Sequence, residues 1–261
     1  MRIYRIPLLL LLILFSTSMA TAQKDRAKGV IWSALRGLEY EIKAGVNVGG
    51  MTPLPLPSEI RKINSYSPNL ALSIGTEITK WFGTQERFAF IFGLTLESKS
   101  MRTDADVKNY GMKIIGDGGE EISGMWTGSV KTKVRNAYLT MPILMGYKIS
   151  KRVSIKAGPY VSLLIERDFS GHVYEGYLRE DDPTGPKVEF TDGNKATYDF
   201  SRELRRFQWG MLVGTEWKAF KHLNVYADLT WGLNNIFKSS FETITFNMYP
   251  VYLNVGFGYA F

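Results

Sequence analysis

The last thirteen residues, 249–261, constrain the fold of this chain more than any other stretch. Apolar and aromatic side chains occupy every second position from Tyr249 to Phe261, and mostly small or polar residues, including Gly256 and Gly258, lie between them. A period of two sends one set of side chains to each face of a strand. One face of this strand is therefore apolar and aromatic, and the other has little bulk. The pattern is typical of the closing strand of a barrel that crosses an outer membrane.

The first 22 residues predict a cleaved signal peptide. A basic start precedes an apolar run of ten residues, 6–15, and Ala20 and Ala22 then form the small-x-small pattern that precedes a cleavage point. The mature chain is expected to begin at Gln23. A transmembrane anchor is the alternative, but a helical span needs about 20 apolar residues.

Composition narrows the class of protein further. The formal net charge of +7 is spread along the chain without a block of like charge, so nucleic acid is not expected as a partner. The absence of cysteine excludes a disulfide framework, a thiolate metal site and a lipid-modified N-terminal cysteine. No later stretch approaches 18 apolar residues, so a helical span is not expected either. The strand pattern has to decide between a soluble exported protein and a barrel.

Seven further segments show the same alternation as the last one. Together the eight segments cover residues 40–48, 70–78, 88–97, 138–149, 153–166, 207–217, 223–234 and 249–261. Most are about 10 residues or longer, which suits a tilted membrane-spanning strand, whereas strands of soluble proteins are usually about 5–6 residues long. The sequence therefore predicts an all-β fold: an eight-stranded antiparallel up-and-down transmembrane β-barrel. Its domain is expected to span 38–261, after a short periplasmic segment at 23–37.

The connections between the segments predict the orientation of the barrel. Three of them have hairpin length, at 83–86, 150–151 and 218–222, and four are long and polar, at 50–67, 98–135, 168–205 and 235–247. Outer-membrane barrels have short periplasmic turns and long extracellular loops. Both termini are therefore expected on the periplasmic side.

One long connection predicts structure of its own. Lys187–Phe190 and 195–200 alternate on either side of an Asp-Gly pair, which predicts a β-hairpin that projects above the membrane. The alternative is that these two segments are additional spanning strands, which would make ten.

Aromatic residues fall near both ends of the predicted strands. Those predicted to lie at the membrane interfaces are Trp81, Tyr147, Trp217 and Phe261 on the periplasmic side, and Trp209, Trp231 and Tyr249 on the outer side. A secreted, lipocalin-like barrel with its apolar face inward is the rival architecture. The aromatic residues at both strand ends, and the glycines and charges on the opposite face, favour lipid on the outside.

The chain resembles the PorT-like, porin-family outer-membrane β-barrel proteins. The stretches that carry the resemblance are Ile42-Lys-Ala-Gly-Val-Asn-Val48, Tyr138-Leu-Thr-Met-Pro-Ile-Leu-Met-Gly-Tyr147, Lys156-Ala-Gly-Pro-Tyr160, Asp228-Leu-Thr-Trp-Gly-Leu-Asn-Asn-Ile236 and Gly256-Phe-Gly-Tyr-Ala-Phe261. The resemblance implies a barrel in the outer membrane. It brings no catalytic residues, since most members have no assigned activity and one belongs to a secretion apparatus for surface-bound cargo.

Charged residues alternate onto the face that the barrel would enclose. The predicted lumen cluster consists of Glu41, Lys43, Glu77, Lys148, Lys156, Glu216 and Asp228. An eight-stranded barrel is just wide enough for side chains to fill it. Because isolated buried charges are costly, these groups are expected to pair across a plugged interior. A narrow ion path lined by carboxylates is the alternative.

The sequence gives little support to catalysis. His172 lies in an outer loop near Ser170 and Asp168, and His222 lies in a periplasmic turn, where hydrolase or acyltransferase chemistry is not expected. No catalytic, cofactor-binding or metal-binding residues are predicted, and no cofactor is expected.

Expected partners are outer-membrane lipid, the barrel-assembly machinery through the strand that ends in Phe261, and surface or secretion-complex proteins. The predicted function is therefore a non-enzymatic anchor or assembly component that acts through its extracellular loops. A small-solute or ion pore is the alternative, and an outer-membrane hydrolase or acyltransferase is a weaker one.

Overall fold

The computed structural model describes residues 37–115, 121–190 and 194–261. Residues 38–261 form one unit. The predicted signal peptide, 1–22, and nearly all of the predicted N-terminal segment, 23–37, lie outside the described residues. No helix in the described part of the chain is long and apolar enough to cross a membrane.

The described residues contain twelve strands, whereas the sequence predicted eight spanning strands and a two-stranded hairpin. The strands are β1 (Leu38–Pro53), β2 (Ile60–Ser67), β3 (Ala71–Phe82), β4 (Phe88–Ile115), β5 (Glu121–Lys148), β6 (Val153–Glu166), β7 (Phe169–Glu180), β8 (Lys187–Phe190), β9 (Ala196–Asp199), β10 (Phe207–Lys218), β11 (Leu223–Gly232) and β12 (Met248–Ala260). Two short 3-10 helices, Thr84–Glu86 and Ser201–Glu203, lie in connections between strands.

Eight of these strands hydrogen-bond into a closed antiparallel ring. The order around the ring is β1, β3, β4, β5, β6, β10, β11 and β12, and β12 pairs again with β1. The closing register runs from Glu41 opposite Ala260 to Pro53 opposite Met248. The backbone N–H of Phe261 adds a bond to the carbonyl of Tyr40, with an N···O distance of 3.0 Å. Closure of the ring pairs the backbone groups of its two edge strands. A barrel in lipid requires this because lipid cannot hydrogen-bond unpaired backbone groups.

The two faces of the ring differ as the alternation predicts. On β10, Met211 and Val213 point outward and are exposed, whereas Leu212 between them is buried. The same exposed apolar positions recur around the ring, for example Phe90, Ile143, Leu229 and Phe257. A soluble protein rarely exposes such a continuous apolar surface, so this belt needs an apolar surrounding. The lipocalin-like alternative, with its apolar face inward, is therefore wrong.

The other four strands, together with parts of β4 and β5, form a second sheet region at the end of the ring opposite the chain's C-terminus. β4 and β5 pair as far as Ile115 opposite Glu121, far beyond the points where β3 and β6 stop pairing with them, at Glu97 and Ala137. β2 adds to β4, β7 adds to β5, and β8 and β9 add to β7. We call this region, residues 60–67, 98–115, 121–136, 169–190 and 194–199, the extension. The sequence predicted long polar connections here, and much of their length forms strands.

The predicted hairpin at 187–200 was also wrong. β8 pairs with Gly176–Arg179 of β7, and β9 pairs with Ser170–Val173 of the same strand. Thr197 of β9 in addition pairs with Ile115 at the tip of β4. The two segments are strands as expected, but each of them pairs with β7 and they do not pair with one another.

The largest apolar core lies at the extension end of the molecule, between the extension, the segments that precede β10 and β12, and the adjoining ends of β1 and β12. Its buried aromatic side chains include Trp126, Phe169, Tyr198, Phe200 and Phe237. The rings of Phe169 and Phe237 meet edge to face with centroids 5.1 Å apart, which is a favourable aromatic geometry. Inside the ring a smaller cluster is formed by Ala89, Ile91, Leu144, Tyr160 and Leu212.

Candidate functional site

Four charged side chains from four ring strands meet in the barrel interior. Lys43 of β1 contacts Glu77 of β3 and Asp228 of β11, with N···O distances of 2.8 Å to each. Lys156 of β6 contacts the same two carboxylates, at 2.9 Å and 3.2 Å. Each lysine therefore bridges both acids across the barrel. We call Lys43, Glu77, Lys156 and Asp228 the interior quartet.

The ring places these four side chains at one depth because glycines make room for them. Lys43 lies opposite Gly75, and Lys156 lies opposite Gly214. A Cβ atom at Gly214 would collide with the carboxylate of Asp228. The quartet is fully buried and carries two positive and two negative charges. Mutual pairing and hydrogen bonding are what make such a buried group tolerable.

A second polar group lies next to the quartet, nearer the short-turn end of the ring. The amide nitrogen of Asn224 donates to Glu41 at 3.2 Å and to Glu216 at 2.9 Å. Carboxylate oxygens of Glu41, Glu77 and Glu216 lie within 4.8 Å of one another, close enough to hold a cation. Glu77 is already paired with two lysines. Through Glu77, the second polar group and the quartet form one continuous polar cluster.

Six of the seven predicted lumen residues therefore come together, and Lys148 does not. Its ammonium lies over the ring of Trp81, 3.7 Å from the centroid, while the indole N–H of Trp81 donates to Glu39 at 2.8 Å. Trp81 occupies an inward-facing position of β3, since Ala71, Ser73 and Glu77 share its parity and are buried. It packs against the inner apolar cluster, so its predicted place among the lipid-facing aromatics was wrong.

The other predicted interface aromatics lie on the outer face of the ring. Trp209, Trp217, Trp231 and Phe261 are exposed. Tyr147 and Tyr249 are half-buried, and the Tyr147 ring lies 5.2 Å from that of Phe88. Trp209 and Trp217 lie near the two ends of β10, where headgroup regions would meet the strand.

The half of the ring interior nearer the extension contains a further polar group, whose lysine the sequence reasoning missed. Lys99 is paired with Glu97 at 3.0 Å, and Glu97 accepts hydrogen bonds from Thr140 at 2.6 Å and Asn47 at 3.1 Å. The Lys99 ammonium also lies 5.4–5.7 Å from the ring centroids of Tyr138, Tyr160 and Tyr252. Continuing the alternation of β4 by one step past Glu97 would have found Lys99.

These two groups leave little free space in the ring. A cavity of about 40 Å³ lies between them, lined by Lys43, Glu77, Glu97, Tyr226 and Asp228 among others. Such a volume holds about one or two water molecules. The charged groups of the ring interior therefore lie in contact with one another around this small cavity.

The extension carries a polar face on its outer side. Paired positions on β2, β4, β5, β7 and β9 bring together Ser65, Ser67, Arg102, Asp104, Lys131, Lys133, Ser170, His172, Thr197 and Asp199. They surround a concavity of about 720 Å³. We call these ten residues the polar face. Burial and the nearby charges of Lys195 and Lys131 lower the pKa of His172 from its usual value.

The residues considered for hydrolysis do not form a nucleophile and base pair. Ser170 and His172 share one face of β7, but the Ser170 hydroxyl donates to Asp168 at 2.6 Å instead of to the imidazole. His222 lies at a short turn, where its Nδ1 is 2.8 Å from the carbonyl oxygen of Ala260. An activated serine needs a base within hydrogen-bond reach of its hydroxyl.

A closed antiparallel ring with an apolar outer belt and a charged, paired interior defines an outer-membrane β-barrel. Residues 21–238 match the family model described as outer membrane protein beta-barrel domain, so the chain belongs to that family and is located in the outer membrane.

Solved structures of other outer-membrane proteins are similar to this chain. Ail, the attachment invasion locus protein of Yersinia pestis, has 10% identity and a TM-score of 0.34, covering 86% of this chain and 99% of its own. OprG from Pseudomonas aeruginosa has 12% identity and a TM-score of 0.32, covering 85% and 95%. None of the curated proteins matches the chain.

Proposed function

We propose that this protein is a non-enzymatic outer-membrane barrel whose extension acts outside the cell as an anchor or component of a surface or secretion assembly. The observation that carries the proposal is the contrast between a ring interior filled by paired charges and an extension with a folded core and a polar face of its own. The first argues against transport through the ring. The second provides a surface for contact.

The eight ring strands are the membrane-spanning wall in this proposal. The exposed apolar belt runs along them, and β2, β7, β8 and β9 add to the parts of β4 and β5 that lie beyond it. The short turns at 83–86, 150–151 and 218–222 then face the periplasm, and the extension faces the exterior. The proposed wall has eight strands. The alternative of ten spanning strands is not supported, because β8 and β9 pair with β7 in the extension.

Two further partners follow from the same arrangement. The apolar belt fits outer-membrane lipid. Strand β12, which ends beside Phe261 and closes the ring against β1, fits recognition by the barrel-assembly machinery.

The filled interior supports an anchoring role over the pore alternative. The quartet joins strands from opposite sides of the ring, and Lys99 with its three tyrosine rings blocks the other half. An interior filled with paired side chains in this way opposes the passage of a hydrated ion. Wild-type protein in planar bilayers is therefore expected to show no steady channels, whereas steady channels would favour the pore.

The extension supports a contact role because it is ordered over long strands. β4 and β5 have 28 residues each, about 90 Å of extended chain, while a tilted spanning strand needs about 9–11 residues. Ordering so many residues outside the membrane costs conformational entropy, which the apolar core around Trp126 and Phe169 offsets. A loop without a partner would not need such a core.

Photo-crosslinking in living cells tests the contact role. A photoreactive amino acid is placed at Thr197 or Lys131, both exposed on the polar face, and at Phe220 in a short turn as the matched control. We expect discrete adducts with the same protein from both polar-face positions and not from Phe220. Absence of adducts from the polar face, together with normal surface exposure, would contradict the proposal.

A further inference from the structure

The ring has a seam where β1 parts from its neighbour. Pairing between β1 and β3 ends at Asn47 opposite Ala71, although β1 continues to Pro53 with β12 on its other side. The next strand in the chain, β2, pairs with β4 instead. Within the described residues, the last part of β1 therefore has a strand partner on one side only.

Side chains satisfy backbone groups along this open edge. The hydroxyl of Tyr66, on β2, donates to the carbonyl of Gly49 at 2.5 Å. The backbone N–H of Met51 donates to the thioether sulfur of Met101, on β4, at 3.2 Å. Side chains thus bond to backbone groups along the seam, where a ladder of backbone bonds would have closed it.

A pocket of about 410 Å³ lies behind the seam. Its lining comes from β1, β2, β4, β5, β7 and β12 and from the segment before β12, and includes Met51, Met101, Val107, Val130, Phe169 and Met248. None of the lining side chains is charged. Its volume is within the range of pockets that bind small molecules, and an apolar cavity of about 150 Å³ already admits benzene.

Most of the lining is apolar, and two of its five hydroxyl groups already have partners. The Tyr66 hydroxyl is bonded to Gly49, and the Thr132 hydroxyl lies 2.7 Å from the Tyr198 hydroxyl. Water in the pocket would find few hydrogen bonds, so an apolar group that displaced it would gain free energy. Ile63 and Leu56 are exposed where the lining meets the surface, and they provide an apolar entrance.

We propose that this seam pocket binds an uncharged hydrocarbon group, either an acyl chain of a lipid drawn out of the membrane or a free apolar compound. The inference goes beyond the anchoring role, since it concerns a small ligand on the inner side of the extension and not the polar face. It is independent of whether a protein partner exists.

The test uses the full chain in amphipol, without lipid, titrated with the apolar fluorescent probe N-phenyl-1-naphthylamine. We expect saturable binding. Ala105→Trp fills the pocket from β4 and should weaken binding at least tenfold, whereas Ala219→Trp, the same change in a short turn, should change it less than twofold. The difference in migration between boiled and unboiled samples checks that each variant is folded.

A second variant covers the case in which Ala105→Trp does not fold. Ile63→Asp puts a charge at the exposed entrance and should weaken probe binding at least threefold. Repeating the titration in phospholipid nanodiscs separates the two sources. Retained binding there indicates a site for free apolar compounds, and binding lost there but present in amphipol indicates an acyl chain of the bilayer.

Either nanodisc result supports the pocket. The proposal is overturned by no saturable binding in amphipol, by undiminished binding in the folded pocket variants, or by equal weakening in Ala219→Trp.

Discussion

The ring and the extension share two continuous strands, β4 and β5, and have opposite arrangements of polarity. In the ring, charged groups such as Lys43 and Glu77 are buried and apolar groups such as Val213 are exposed. In the extension, Trp126 and Phe169 are buried, and Lys131 and Thr197 are exposed. β4 and β5 pass through both regions without interruption. The same strand geometry therefore carries opposite polarities in the two regions, as expected where one region faces lipid and the other faces water.

Breaking the interior quartet should have the largest effect on the ring. Lys43→Met leaves Glu77 and Asp228 with Lys156 as their only lysine partner, and removing one partner from a buried ion pair costs about 3–5 kcal/mol. We expect a matching loss in the free energy of unfolding, measured by urea titration in lipid vesicles with tryptophan fluorescence. Lys221→Met, in an exposed turn, is the control and should change stability by less than about 0.5 kcal/mol. Equal stability of the two variants would show that the quartet is not structural.

Removing the buried indole of the extension should have a comparable but local effect. Trp126→Ala in a filled core costs about 3–5 kcal/mol. We expect protease cleavage within 98–136 in the folded variant, while the ring keeps its difference in migration between boiled and unboiled samples. Trp209→Ala, on the outer face of the ring, should leave that region resistant. Loss of the ring itself in Trp126→Ala would show that the two regions do not fold separately.

A pair of lysine substitutions tests the difference in solvent directly. Val213 on β10 and Ile63 on β2 are exposed to similar extents, 58% and 55%. A lysine facing the middle of a bilayer costs about 2–4 kcal/mol, and one facing water costs almost nothing. Val213→Lys should therefore lower the free energy of unfolding by about 2–4 kcal/mol and Ile63→Lys by less than about 0.5 kcal/mol. Similar losses at both positions would contradict the assignment of lipid to one and water to the other.

The smallest expected effect is a pKa change on the polar face. Burial and the charges of Lys195 and Lys131 lower the pKa of His172, so its neutral form is favoured in the folded protein. Stability from this group is full above the unfolded pKa, near 6.5, and is lost as the pH falls toward the folded pKa. Lys131→Gln should raise the pKa of His172, measured by NMR, with His222→Gln used for assignment. An unchanged pKa would show that the Lys131 charge does not act on the imidazole.

The sequence was sufficient for the ring because strand alternation is a local pattern. Val213 and Leu212 already differ in face by their positions alone. The same rule, applied strictly, would have placed Trp81 inside, since it shares the parity of Glu77. Proximity to the strand end was given more weight than parity, and that led to the error.

The extension could not be predicted in the same way. Its inner positions on β4 include Thr103 and Ala105 beside Met101 and Val107, so the apolar face is weak, and the outer positions are charged. The pairing of β8 and β9 with β7 depends on contacts between distant segments, which a local turn signal does not reveal. Likewise, the residues of the quartet could be listed, but their individual pairs could not.

The central claim is that the extension faces the exterior and the short turns face the periplasm. Labelling of single cysteines on intact cells tests it most directly, and the chain has no native cysteine that would react in the background. Thr197→Cys in the extension and Lys151→Cys in a short turn are treated with a membrane-impermeant maleimide. The account predicts that Thr197→Cys is labelled on intact cells and that Lys151→Cys is labelled only after the outer membrane is permeabilised. Labelling of Lys151→Cys on intact cells, with Thr197→Cys protected, would contradict it.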